Sequence, residues 1–188
     1  MWLKGMILRI EIVILKIVHI PNNHILEGNG ENVMKYWLFK SEPDAFSIDD
    51  LKAMKGKRDH WDGIRNYQAR NMMRDDMRKG DLGFFYHSSC KVPGVVGVVE
   101  IVQEAYPDHT SWDPKSRYFD PKSTPENPRW VMVDVKYRQQ FDEVLSLDKL
   151  RTIKSLADMV LLQKGSRLSI QPVTKKQWDT ILKLGANA

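Results

Sequence analysis

Cysteine is almost missing from this chain: Cys90 stands alone among 188 residues. A single thiol forms no internal disulfide and excludes a cysteine-based zinc cluster, and its reduced state fits an intracellular compartment. Long uncharged apolar runs are missing as well. The most apolar stretch, residues 6–20 (MILRIEIVILKIVHI), is broken by Arg9, Glu11, Lys16 and His19, and its longest uncharged run is Ile12-Val13-Ile14-Leu15. That is too short for a membrane span or a signal-peptide core, and no small-residue cleavage site follows. No glycine-rich phosphate loop of either standard spacing occurs, and no Ser-Asp-His or Cys-His set carries its local signature. His87 and Cys90 are three apart with no second such pair, so no metal and no cofactor are expected. There is no internal repeat and no low-complexity tract.

What remains is an ordinary globular composition, 42% hydrophobic and 28% charged, on a length that suits one core. The net charge of +5 favours an anionic partner, of which nucleic acid is the commonest. Residues 1–34 differ from the rest. The β-branched content of residues 6–20 allows a strand, and the polar stretch from Pro21 to Asn32 has the composition of a linker. Met34 stands directly before the first well-patterned segment. The working domain is therefore expected over residues 35–188, with an N-terminal extension that is an appendage or translated upstream sequence; an edge strand or interaction arm is the rival reading.

Residues 35–40 read as a first strand, ended by Pro43. Ser47 is placed to cap a short helix whose first turn is acidic. Residues 66–77 carry a helical pattern in which Tyr67, Met72, Met73 and Met77 face inward and Arg70, Arg74 and Arg78 face out. Residues 82–88, 94–104, 130–141 and 168–173 read as strands, with Gly97 permitting a bend or bulge. Residues 106–129 hold five prolines and form a long loop of the functional or mobile kind. A short helix over 147–153 and a C-terminal helix over 174–184, capped by Thr174 and ended by Gly185, complete the chain. Short strands with helices at the connections argue for a small, strongly bent sheet or barrel, an α+β fold.

The densest chemistry lies in His60-Trp61-Asp62-Gly63-Ile64-Arg65-Asn66-Tyr67-Gln68-Ala69-Arg70. An indole, a carboxylate, two guanidiniums, an amide and a phenol so close together suit a pocket wall running into a helix better than a core segment or a solvated loop. Trp61 offers a face for a flat base, although a buried indole bonded to a carbonyl is the ordinary alternative. Asn66 matches the donor–acceptor edge of a base and serves equally well as the N-cap of the helix that follows. Tyr86-His87-Ser88 ends a strand, where side chains line a cavity mouth; His87 reads as a hydrogen-bonded structural histidine more readily than as a general base. Arg167, entering the last strand with Leu168 and Ser169, suits a phosphate or a base edge, or a salt bridge at the strand end. Lys40 and Ser41 close the first strand. Arg70, Arg74, Arg78 and Lys79 form a basic face that follows a backbone or is simply solvated.

Four blocks taken together carry a resemblance: Trp37-Leu38-Phe39-Lys40-Ser41-Glu42-Pro43, the stretch from Trp61 to Arg70, Phe84-Phe85-Tyr86-His87-Ser88, and Arg167-Leu168-Ser169-Ile170-Gln171-Pro172-Val173. They resemble the signature blocks of EVE-domain proteins, over about residues 35–184, while the first 34 residues have no counterpart. The resemblance implies a PUA-like bent β-barrel of about five or six mostly antiparallel strands with flanking short helices. It implies kinship with YTH domains, which hold a methylated base in an aromatic cage. On that basis Trp61 is a cage wall, Asp62, Asn66 and Tyr67 meet the base, Tyr86, His87 and Ser88 line the opposite side, and Lys40, Ser41, Trp130, Arg167, Leu168 and Ser169 lie at the floor and rim. Arg65, Arg70, Arg74, Arg78 and Lys79 would follow the phosphate backbone. The expectation is a non-catalytic, monomeric reader of a modified base in DNA or RNA, with no membrane partner. It would be cytoplasmic: nucleoid-associated in a bacterium, nuclear in a eukaryote. Three rivals stand beside it: an enzyme acting on a modified base through Asp62 or His87, a sensor of a free nucleoside-like heterocycle, and a protein-interaction module using the basic face.

Overall fold

A computed structural model of the chain describes residues 33–186. The readings made for residues 1–32, an apolar strand and a linker ahead of the domain, lie outside the described residues. Among the described residues the six strands are β1 (Tyr36–Ser41), β2 (Arg58–Trp61), β3 (Leu82–His87), β4 (Gly94–Pro107), β5 (Val131–Ser146) and β6 (Ile170–Val173). The helices are α1 (Ile48–Ala53), α2 (Tyr67–Asn71), α3 (Leu147–Arg151) and α4 (Lys175–Gly185). The strands form one sheet in the order β2-β5-β4-β3-β1-β6. All neighbours pair antiparallel except β1 and β3, which are parallel.

The parallel pair sits at the centre of the core. Trp37, Leu38 and Phe39 of β1 and the run from Leu82 to Tyr86 of β3 are buried on both faces, which is why these strands read as continuous apolar runs without polar alternation. Side chains one apart point to opposite faces. Trp37, Phe39 and Phe85 join a first core with Ile48, Leu51, Trp61, Met73, Met77, Val133 and Val135. Leu38, Phe84 and Tyr86 join a second core with Leu150, Leu156, Met159, Trp178 and Ile181.

The sheet is rolled. Trp61 ends the edge strand β2, yet its ring lies 5.1 Å from that of Phe39 on β1 and 5.2 Å from that of Phe85 on β3. In a flat sheet those strands would lie about 14–19 Å away. Bulges produce the curvature: the ladders of β4 with β3 and with β5 slip register at several points. Gly97 sits at one slip, and a Cβ there would come within 2.2 Å of the Gln139 carbonyl oxygen and 2.3 Å of Ile48 Cδ1. Only glycine admits that approach.

Some boundaries differ from the sequence reading. β2 was not foreseen, because Arg-Asp-His-Trp carries little apolar signal and gains its ladder only from β5. α2 is α-helical for one turn and continues as a π-type turn over Met72–Asp76. Met73 and Met77 enter the core, whereas Tyr67, expected inside, is 48% exposed. Gly185 belongs to α4 rather than ending it, and the Phe141 ring occupies the space a Cβ would need, 2.6 Å away. Ser47 and Thr174 both form capping boxes. Among the described residues no helix is long and apolar enough to cross a membrane.

Candidate functional site

Rolling the sheet brings its two edges, β2 and β6, toward each other, and a cleft of about 490 Å³ opens at that seam. Its lining comes from the end of β1 (Lys40, Ser41, Glu42), the following turn (Ala45, Phe46), β2 and its continuation (Asp59, His60, Trp61, Asp62, Gly63, Ile64), Ser88, the entry to β6 (Arg167, Ser169), and Arg117 and Tyr118 from the long loop. The volume lies in the range of small-ligand sites, about 300–1,000 Å³.

The strand ends are locked by their own hydrogen bonds. Lys40 N donates to Ser169 O at 2.8 Å and Ser88 N to Ser41 O at 2.8 Å. The Ser41 hydroxyl donates to Phe46 O at 2.7 Å, which holds the turn carrying Phe46 against the strand. The hydroxyls of Ser41 and Ser88, the latter donating to Ser41 O at 3.3 Å, are therefore spent on shaping the cleft. Apart from Ser169, the polar side chains left to address a ligand are charged or belong to His60 and Tyr118. Trp61, only 6% exposed, is held by the ring edges of Phe39, Phe46 and Phe85. Burial pulls the Lys40 ammonium below its ordinary pKa. Burial, with Asp108 nearby, pushes the Asp62 carboxyl up, opposed by His60, whose Nε2 lies 4.0 Å from Asp62 Oδ2.

The loop over residues 108–130 is latched to the cleft. Asp108 is fully buried, and its carboxylate accepts from Gly63 N at 3.1 Å, Arg65 Nη1 at 2.7 Å, and Thr110 N and Oγ1 at 2.9 and 2.6 Å. Burial opposes its charge, but the bonds from Thr110 and Arg65 prevail and hold the carboxyl below its ordinary range. The Arg65 guanidinium also donates to Tyr118 O through Nε at 2.7 Å and Nη2 at 2.5 Å. The Tyr118 ring lies directly on Gly63, whose φ is +74° and where a Cβ would come within 2.6 Å of the ring.

Of the residues singled out from the sequence, Lys40, Ser41, Trp61, Asp62, Ser88, Arg167 and Ser169 meet in this cleft. The others are elsewhere. Asn66 caps α2, its side chain accepting from Ala69 N at 3.1 Å. Tyr86 is buried in the second core. His87 Nε2 accepts from Ile48 N at 3.2 Å, so it tethers the start of α1 as a neutral imidazole, and burial keeps its pKa low. Leu168 contributes its carbonyl to Gln171 Nε2 at 2.9 Å. Trp130 donates to Asp120 Oδ2 at 2.7 Å and stacks on Tyr67 outside the cleft. Arg65 is the latch, its side chain mostly withdrawn from solvent. Arg74 pairs with Asp75 at 2.7 Å, Arg78 bonds Met77 O and Asp75 O, each at 2.8 Å, and Lys79 N donates to Glu104 at 3.2 Å. The sequence reading passed over Phe46, Asp59, His60, Arg117 and Tyr118, which also line the cleft. His60 opens the stretch from His60 to Arg70, and an Arg-Tyr pair in a proline-rich loop was the available signal for the last two.

Comparison with known proteins gives this geometry its relatives. Residues 35–184 match the EVE domain. Human thymocyte nuclear protein 1 is 42% identical over 171 residues, spanning 82% of this chain and 75% of that protein. A crystal structure from Pseudomonas syringae is 51% identical with a TM-score of 0.77, covering 80% of this chain and 99% of that one. Human THYN1 crystallised in complex with 5-methylcytosine-containing DNA is 42% identical with a TM-score of 0.77, covering 80% and 97%. With the match running from the first strand to the last helix, this chain belongs to the EVE domain family.

Proposed function

We propose that this chain is a non-catalytic reader that takes one modified base of a nucleic acid into the seam cleft, with 5-methylcytosine in DNA as the first candidate. The observation that carries the reading is the cleft itself: a space large enough to admit a base, where aromatic Trp61, Phe46 and Tyr118 meet polar Lys40, His60 and Asp62. Flat rings provide stacking worth about 1–3 kcal/mol per base. A carboxylate such as that of Asp62 accepts from the exocyclic amino group of cytosine. The human relative solved with 5-methylcytosine-containing DNA supports the choice of base. The non-catalytic reading is supported by His87, whose Nε2 is taken up by the Ile48 amide.

Burying one methyl contributes about 0.8 kcal/mol, roughly a fourfold preference. Larger selectivity requires a polar mismatch against the wrong base. The test is an equilibrium titration with short DNA and RNA strands carrying one 5-methylcytosine, each beside its unmodified twin, using wild type, Asp62→Asn and Tyr118→Ala. A preference for the methylated twin that both variants lose is the expected result. Equal binding of the twins, indifferent to both variants, would overturn the reading. Mass analysis of the strands after incubation is expected to find every base intact; an altered base would make the protein an enzyme.

A further inference from the structure

A ladder of alternating rings and guanidiniums leads out of the cleft. The Arg65 guanidinium lies 5.7 Å from the Tyr118 ring and 5.5 Å from the Trp130 ring. Trp130 stacks on Tyr67 at 4.9 Å with 27° between planes. Arg70 lies 4.7 Å from the Tyr67 ring, and Arg129 lies 5.8 Å from it. The inner members are consumed by structure: Trp130 is 5% exposed, and Arg65 and Arg129 are paired with Asp108 at 2.7 Å and Asp120 at 3.2 Å. The outer members are less so: the Tyr67 hydroxyl accepts from Arg129 Nη2, but its ring remains half in solvent. Tyr67 keeps 48% of its surface in solvent although it lies beside a buried indole. The hydrogen-bond partners of Arg70 are neutral, Asn71 Oδ1 at 2.7 and 3.1 Å and the Arg129 carbonyl at 3.0 Å, so its charge has no carboxylate partner there.

An exposed phenol ring beside a guanidinium with neutral partners fits an unpaired base and its phosphate, because stacking and charge are both satisfied by one nucleotide. We propose that Tyr67 and Arg70 form a second nucleotide site, which stacks on a base flanking the one in the cleft and holds its phosphate. This rests on the base-binding reading of the cleft. It makes the preferred ligand a strand that is unpaired around the modified base, and it separates the roles of two surfaces: the cleft reads the modification, and the ladder adds affinity regardless of it.

The experiment compares wild type with Tyr67→Leu, Tyr67→Phe and Arg70→Gln. The probes are 5-methyl-2′-deoxycytidine as the free nucleoside, and single-stranded DNA with and without one 5-methylcytosine. Thermal melting of each variant near that of wild type establishes that the fold is kept. Tyr67→Leu is expected to weaken both DNA strands about fivefold or more and equally, to leave the nucleoside unaffected, and to be rescued by the ring of Tyr67→Phe. Arg70→Gln is expected to lower the slope of log K against log salt by about one. Folded Tyr67→Leu that binds both strands as wild type does would overturn the second site, while leaving the cleft untouched if the nucleoside still binds. A Tyr67 effect on both strands, without any preference between them, would support the ladder and remove the methylated base from the cleft.

Discussion

Asp62 is held where its charge is disfavoured. Burial and the neighbouring Asp108 raise its pKa above the ordinary 3.8, against the pull of His60. A carboxyl whose pKa is raised in the fold keeps its proton longer in the native state than in the unfolded chain. Stability therefore falls as pH rises from 3.8 through the folded pKa, and the cost persists at neutral pH. Asp62→Asn is expected to melt above wild type at pH 7, with the gain shrinking as the pH approaches 4, while losing base affinity. A lower melting temperature at pH 7 would show the carboxylate to be net stabilising. Gly63 is constrained in the opposite sense. Its φ of +74° and the Tyr118 ring within 2.6 Å of any Cβ leave no room for a side chain. Gly63→Ala is expected to cost about 1 kcal/mol or more and to dislodge Tyr118, visible as a lower melting temperature together with weaker base binding.

At the scale of elements, the loop over residues 108–130 is a wall of the site because a buried ion pair fastens it. Asp108 is 0% exposed, and the Arg65 side chain is 23% exposed. Taking away the guanidinium leaves the carboxylate buried with only Thr110 and Gly63 as donors, a loss on the order of 3–5 kcal/mol. Arg65→Ala is expected to speed amide hydrogen exchange across the loop, with the central β1–β3 pair unchanged, and to weaken ligand binding through Tyr118 without touching the ligand. Uniform acceleration across the whole domain would mean that the pair supports global stability instead of the loop alone. Further bonds fasten the same proline-rich stretch to itself: Ser111 and Ser123 share a hydrogen bond of 2.8 Å, and Asp120 receives the Trp130 indole at 2.7 Å.

At the scale of the molecule, the site exists because the sheet is rolled. Trp61 crosses the interior from edge strand β2 to the rings of Phe39 and Phe85, so one side chain both fills the rolled sheet and lines the cleft. Trp61→Ala is therefore a stability variant as much as a binding variant, expected to cost about 3–5 kcal/mol and to shift the denaturant midpoint. A loss of binding in that variant at unchanged midpoint would place the indole at the ligand rather than in the core. On the proposed reading the net charge of +5 acts at this scale too, and would contribute salt-dependent affinity for a polyanion without choosing its bases.

The sequence by itself determined most of the local elements, though not β2, and the identity of the family. Apolar runs marked β1 and β3, Ser47 and Thr174 announced their helices, and the blocks around Trp37, Trp61, Tyr86 and Arg167 pointed to an EVE domain, the family to which the chain belongs. Those features are local: propensity, capping and motif spacing act over a few neighbouring residues. Which functional groups share one cavity was decided only by the tertiary structure. Tyr86 and Ser88 are two apart in sequence, yet one is buried in the second core and the other lines the cleft. Tyr118 and Gly63 are far apart in sequence, yet the ring of one rests on the backbone of the other. The end of β3 at His87, which lets Ser88 leave the ladder and bond Ser41 O, bulges in the neighbouring ladders and the Arg65–Asp108 latch set those placements, and each depends on partners that a linear pattern does not contain.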